Sequence, residues 1–155
     1  MGVMYETEED RLAEVAVLVE LQKHWGFADW HKNPVAYHID FTLIDAEGKF
    51  MALAEVRCRN AGILTYPYII LSYNKYMNGR KYAFSYTRDR GEIAVPYFQV
   101  FHFKKGNVIK YIRLDDKIFE PNYYTKATRD DPRDDEPVIH IPVEDMLFLD
   151  GPFVL

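Results

Sequence analysis

The chain has 155 residues, 48% hydrophobic and 28% charged, with a formal net charge of −5 and one cysteine. That is one domain's worth of sequence, able to bury a core without staples, and it excludes a disulfide scaffold, a membrane span of roughly 18 apolar residues and a basic, apolar secretory leader. The lone Cys58 implies an intracellular, cytoplasmic home, and the negative balance argues against a strongly basic nucleic-acid coat while allowing local basic patches and cation-holding carboxylates.

The first predicted element is a helix. Thr7 is placed as its N-cap, Asp10 as the capping-box acid, Glu8 and Glu9 at its positive end, and LAEVAVLVEL as its body before the KHWG stop. At 100° per residue, Leu12, Val15, Ala16 and Val19 share one face, and Glu14, Leu18, Leu21 and Trp25 share the other. A carboxylate amid an apolar face is out of place unless it has work there.

GFADWHKNP reads as a loop. AYHIDFTLID alternates like a strand, AEGK turns it and FMALAEVRCR returns, so the two form an antiparallel hairpin. After the loop NAGILTYP, YIIL is a short buried strand and Ser72 caps a helix reaching Tyr86, weakened at Gly79. RDRG breaks it. IAVPYFQVFHF, KKGN and VIKYIRL make a second hairpin. Residues 115–137, which include RDDPRDDEP, form a polar loop; VIHIP is a last short strand and VEDMLFL a terminal helical turn. The whole chain is one α/β domain, a single mixed sheet flanked by helices.

The strand FMALAEVRCR ends in an unusual way. Met51, Leu53, Glu55, Arg57 and Arg59 share one face, while the small Ala52, Ala54, Val56 and Cys58 share the other and suit close packing on a helix. Cys58 is thereby a core residue. Glu55 and Arg57 stand about 7 Å apart along a rigid strand, an arrangement that can hold a metal and orient a water beside it. The alternative is a charged edge that merely blocks aggregation; Asp40 on the neighbouring strand and Glu14 on the helix weigh against it. His24, His31 and His38 recur every seven residues, but across a helix end, a loop and a strand, so the spacing carries no zinc geometry.

Asp40 in YHID, Glu55 with Arg57 and Arg59 in AEVRCR, Glu14 in LAEVA and Lys75 in SYNKY together make the chain similar to the PD-(D/E)XK nuclease superfamily. The Glu-x-Lys-x-Arg pattern resembles its Holliday-junction-resolvase branch, and SYNKY its small phage-type members; the resemblance spans residues 8 to 103. It implies a restriction-endonuclease-like core and a metal-dependent endonuclease hydrolysing DNA, of phage or prophage origin. It further implies Asp40 and Glu55 as ligands of Mg²⁺, or of Mn²⁺, with Glu14 reaching the site directly or through water. It also implies pairing into a homodimer, as resolvase-like members pair, and no membrane partner. Arg57 occupies the position of the motif lysine. It keeps the charge but cannot act as a base, so Lys75 is the candidate substitute ammonium. The alternative function is a catalytically inactive nuclease-fold module that binds nucleic acid or protein.

Overall fold

The computed structural model describes residues 7–34, 39–89, 95–123 and 137–152. The expectations for the entry of AYHIDFTLID, for the end of the RDRG break and for RDDPRDDEP fall outside these residues. In chain order the elements are α1 (Glu8–Trp25), β1 (Asp29–Lys32), β2 (Phe41–Ile44), β3 (Phe50–Arg59), β4 (Tyr68–Ser72), α2 (Tyr73–Asp89), β5 (Tyr97–Phe103), β6 (Val108–Arg113), β7 (Asn122–Tyr123), β8 (Pro137–Pro142) and β9 (Leu147–Phe148).

α1 begins as its sequence dictates. The Thr7 hydroxyl accepts from the Asp10 amide at 3.1 Å, and the Asp10 carboxylate accepts from the Thr7 amide at 3.2 Å, closing a capping box. It ends at Gly26, whose φ of 73° is comfortable only without a Cβ. Of the two apolar faces, the one carrying Leu18, Leu21 and Trp25 is buried, whereas Leu12, Val15 and Val19 are exposed. No helix among the described residues is long and apolar enough to cross a membrane.

Six strands form a mixed sheet in the order β1-β2-β3-β5-β6-β9, with a restriction-endonuclease-like α/β arrangement of helices against it. β3 and β5 are parallel and the other pairs antiparallel. A parallel pair cannot be joined by a tight turn, and the crossover here runs through β4 and α2. The expected hairpins are both present, β2 with β3 and β5 with β6, the latter turning at Gly106 and Asn107, which both have positive φ.

Three findings differ from the sequence reading. GFADWHKNP contains strand β1, paired from Asp29↔Ile44 to Lys32↔Phe41. VEDMLFL forms a single 3-10 turn at Val143–Asp145 and then β9 against β6. A second sheet, β4-β8-β7, stands beside the single one expected. These are short segments whose strand state comes from the partner rather than from local alternation. The predicted loop from 115 is also anchored at its start: the Tyr76 hydroxyl donates to the Lys117 carbonyl and accepts from the Phe119 amide at 3.0 Å.

Two cores flank the large sheet. On one face Ala52, Ala54 and Val56 of β3, with Phe41, Leu43, Phe98, Val100 and Tyr111, pack against Val17, Leu18, Leu21 and Trp25 of α1. On the other, Leu53, Tyr97, Phe101 and Phe103 pack against Tyr76 and Ala83 of α2 and against Ile69, Leu71, Ile139 and Ile141 of the small sheet.

Candidate active site

The β2–β3 register carries the first acid to the second. Phe41 pairs with Ala54 and Thr42 with Leu53; one step further lie Asp40 and Glu55, on the sheet face that looks toward α2. Cross-strand neighbours on one face hold their Cβ atoms about 5 Å apart. The Asp40 carboxylate (Oδ2) accepts from the Val56 amide at 3.0 Å, which ties it to β3 beside Glu55. Glu55 is only 1% exposed. From the first turn of α2, the Lys75 ammonium donates to Glu55 Oε1 at 2.7 Å. Arg57 follows two residues along the same strand face, half-buried, with no hydrogen bond or ion pair among the described residues.

Burial dominates the electrostatics. It pushes the Glu55 carboxyl up to about 7, the negative charge of Asp40 pushes it further in the same direction, and Lys75 and Arg57 oppose the rise. Asp40 is likewise raised by burial, against the pull of the Val56 N–H and the charges of Lys75, Arg57 and Lys32. Even a 2.7 Å ion pair does not offset the removal of water from Glu55. Asp40, Glu55, Arg57 and Lys75 thus act on one another as a group. A perturbed carboxylate pair with cations beside it, between a sheet and a helix, is a mark of functional chemistry.

Lys75 owes its position to two residues, one of which reads in the sequence only as a weak point of the helix. Tyr97 of β5 lies under α2, fully buried, and its hydroxyl donates to the Lys75 carbonyl at 3.4 Å. Gly79, one turn on, leaves the space the ring occupies: a Cβ there would lie 2.1 Å from the ring edge. Burial, followed by the charges of Glu55 and Asp40, pushes the Tyr97 phenol well above its usual range, so it remains a neutral donor. The glycine that weakens α2 by propensity is what lets α2 dock.

Glu14 sits in the opposite layer, on α1, which packs against the other face of β3. Its carboxylate pairs with Lys32 of β1 at 3.5 Å, and the Lys32 charge reaches Asp40, so Lys32 links Glu14 to the group. Cys58 shares the α1 face as expected; it is half-buried, free of any disulfide, and burial raises its thiol. Gln99, paired with Glu55 across β3 and β5, was also not singled out. Its sequence signal was an amide side chain in the mostly apolar run YFQVFHF.

The residues present fit a hard divalent cation. Glu55 Oε2 is buried and has no hydrogen-bond partner among the described residues, and leaving such an oxygen unsatisfied costs free energy unless something else neutralises it. Two desolvated carboxylates with raised pKa values are what a cation would relieve. Among the described residues no group of three or more His, Cys, Asp or Glu side chains gathers for a metal. Asp40 and Glu55 would therefore be the acidic ligands, enough for an ion such as Mg²⁺ that keeps several of its waters. A family model described as "Phage putative PDDEXK endonuclease" matches residues 2–148. No curated protein and no solved structure matches the chain.

Proposed function

The chain belongs to the phage PDDEXK endonuclease family, and from that premise we propose that it is a metal-dependent nuclease hydrolysing phosphodiester bonds of DNA. Asp40 and Glu55 hold the cation, Mg²⁺ or Mn²⁺, and Lys75 and Arg57 supply the positive charges. The observation that carries this reading is the buried Glu55, unpartnered at Oε2, clasped by Lys75 at Oε1 and standing beside Asp40.

When bound, the cation supplies Lewis-acid chemistry, lowering the pKa of a coordinated water and neutralising charge on the scissile phosphate. The rest falls to the chain. Asp40, fixed by the Val56 amide, and Glu55, fixed on a central strand, hold their oxygens in place before substrate arrives. Lys75, from the first turn of α2, can supply the ammonium that the motif lysine would otherwise supply. It can orient a nucleophilic water or meet developing negative charge on a phosphate oxygen. Arg57 remains charged throughout and contributes electrostatic stabilisation alone. Cys58, outside any disulfide, suits a reducing cytoplasm.

The test is cleavage of linear, circular and branched DNA with Mg²⁺ or Mn²⁺, checked on gels. Glu55→Ala should bring cleavage to background, and Lys75→Ala should reduce it about 10²–10³-fold, the usual loss for one charge-stabilising group. Cleavage that persists undiminished in Glu55→Ala would refute the assignment. A wild-type protein that retains DNA without cutting it would instead establish a binding module on a nuclease fold.

A further inference from the structure

Gln99 is only 1% exposed, on the central strand β5, directly opposite Glu55 in the parallel register. Paired positions point to the same side of a sheet, so Gln99 faces α2 together with Glu55, between Tyr97 and Phe101. Its amide nitrogen donates to the Glu55 carbonyl at 3.3 Å and to the Val100 carbonyl at 3.0 Å. Those two acceptors fix which way the amide lies, because a flipped amide would set its oxygen against two carbonyls. The oxygen, Oε1, is then left buried with no hydrogen-bond partner among the described residues, as is Glu55 Oε2 on the paired residue. Packing alone does not call for this. The strand neighbours Tyr97, Phe98, Val100 and Phe101 are apolar, and an apolar side chain of similar volume would fill the position without stranding an oxygen.

Resting on the reading of Asp40 and Glu55 as the cation's acidic ligands, we propose that Gln99 contributes a third, neutral oxygen to that site. Amide carbonyl oxygen is a hard donor suited to Mg²⁺ and Mn²⁺. A third carboxylate would add further repulsion to a pair already desolvated; a neutral oxygen adds a donor without it. The hydrogen bond to the Glu55 backbone also couples the orientation of this oxygen to the strand that carries the main acid.

The test is Mn²⁺ binding to the purified full chain without DNA, measured by calorimetry and by the loss of the free-ion electron paramagnetic resonance signal. Gln99→Met keeps the volume and removes the oxygen; it should weaken Mn²⁺ affinity about tenfold or more, the range found for groups that support metal ligands. Gln99→Glu loses the amide hydrogens but keeps an oxygen and adds charge, and should bind Mn²⁺ at least as tightly as wild type. Glu55→Gln should lose binding. If Gln99→Met binds like wild type while Glu55→Gln does not, the metal centre stands and the role of Gln99 falls. If Gln99→Glu is as weak as Gln99→Met, the residue serves only through its N–H bonds and the proposal is overturned. If Glu55→Gln binds normally, the metal centre itself is wrong and Gln99 falls with it. Should Gln99→Met fail to fold, Gln99→Leu, which also lacks the oxygen, takes its place with the same expected and overturning results.

Discussion

The two faces of β3 follow different rules. Toward α1 the strand presents Ala52, Ala54 and Val56, small apolar residues that let the helix settle against Phe41, Leu43, Phe98 and Val100. Toward α2 it presents Leu53, Glu55 and Arg57, and there the close approach is made at Gly79 and Tyr97 while charge is buried beside it. The first face is close apolar packing. The second accepts a desolvated carboxylate, which no fold needs, and relies on the first for the rigidity that holds it in place. A buried carboxylate on a central strand is tolerable when the strand's other face is well packed.

The sharpest way to break this contrast is to overfill each face once. Gly79→Ala forces a Cβ to within 2.1 Å of a fully buried ring. Overpacking of this kind costs about 1–3 kcal/mol and sometimes more, and the helix-propensity gain of Ala returns only about 1 kcal/mol. A contact this close to a ring that cannot move away puts the cost above that range, so we expect a net loss of about 3 kcal/mol by urea denaturation, together with an altered Mn²⁺ affinity, because α2 must shift Lys75 relative to Glu55. Ala54→Leu on the other face should cost a comparable amount yet leave Mn²⁺ affinity in the folded protein unchanged. Equal effects on affinity from the two substitutions would mean that the faces are not separate in function. Adding Tyr97→Leu to Gly79→Ala should recover part of the stability, since the two positions share one space.

A smaller effect, and one confined to the α2 face, is the dependence of stability on pH. The folded chain holds the Glu55 proton up to about pH 7, whereas the ordinary value is 4.5. Between these values the folded state binds more protons than the unfolded one. The stability due to the neutral carboxyl is therefore full below pH 4.5 and is lost as pH rises through about 7. In a chelator, Glu55→Gln should be more stable than wild type at pH 8 by about 2 kcal/mol, and its stability should vary less from pH 5 to 8. Some slope should remain, because burial raises Asp40 as well. Saturating Mn²⁺ should reverse the order, stabilising wild type and not Glu55→Gln. A Glu55→Gln protein less stable than wild type at pH 8 without metal would show that the Lys75 ion pair outweighs desolvation.

The same contrast explains what could be read from the sequence. Alternation fixes faces, so placing Glu55 with Arg57 and opposite the small residues required only a period of two. A short turn fixes the hairpin, so Asp40 came with it, and Thr7 with Asp10 announced α1. Features made by distant pairing were not legible. Gln99 meets Glu55 only because β5 lies parallel to β3 after a crossover, and Gly79 read as a helix weakness because its reason is a tyrosine on another strand. Lys75 did leave a trace. A cation in the first turn of a helix, where the dipole favours acids, implies a counter-charge brought from elsewhere, and that charge is Glu55.

The smallest effect belongs to Glu14, on the α1 side. Its pair with Lys32 is 3.5 Å long, with the lysine side chain 44% exposed, so solvent and salt screen it and the pair is worth less than about 1 kcal/mol. Glu14 lies on α1, which packs against the other face of β3, and Lys32, with which it pairs, reaches Asp40 by its charge. Glu14→Gln and Lys32→Met should each shift Mn²⁺ affinity by no more than about threefold, well under 1 kcal/mol. Because Glu14 acts through Lys32, the double variant should match Lys32→Met rather than the sum of the two. A tenfold loss of affinity in Glu14→Gln with Lys32 intact would make Glu14 a ligand in its own right, reached directly or through water, and would join the α1 layer to the site.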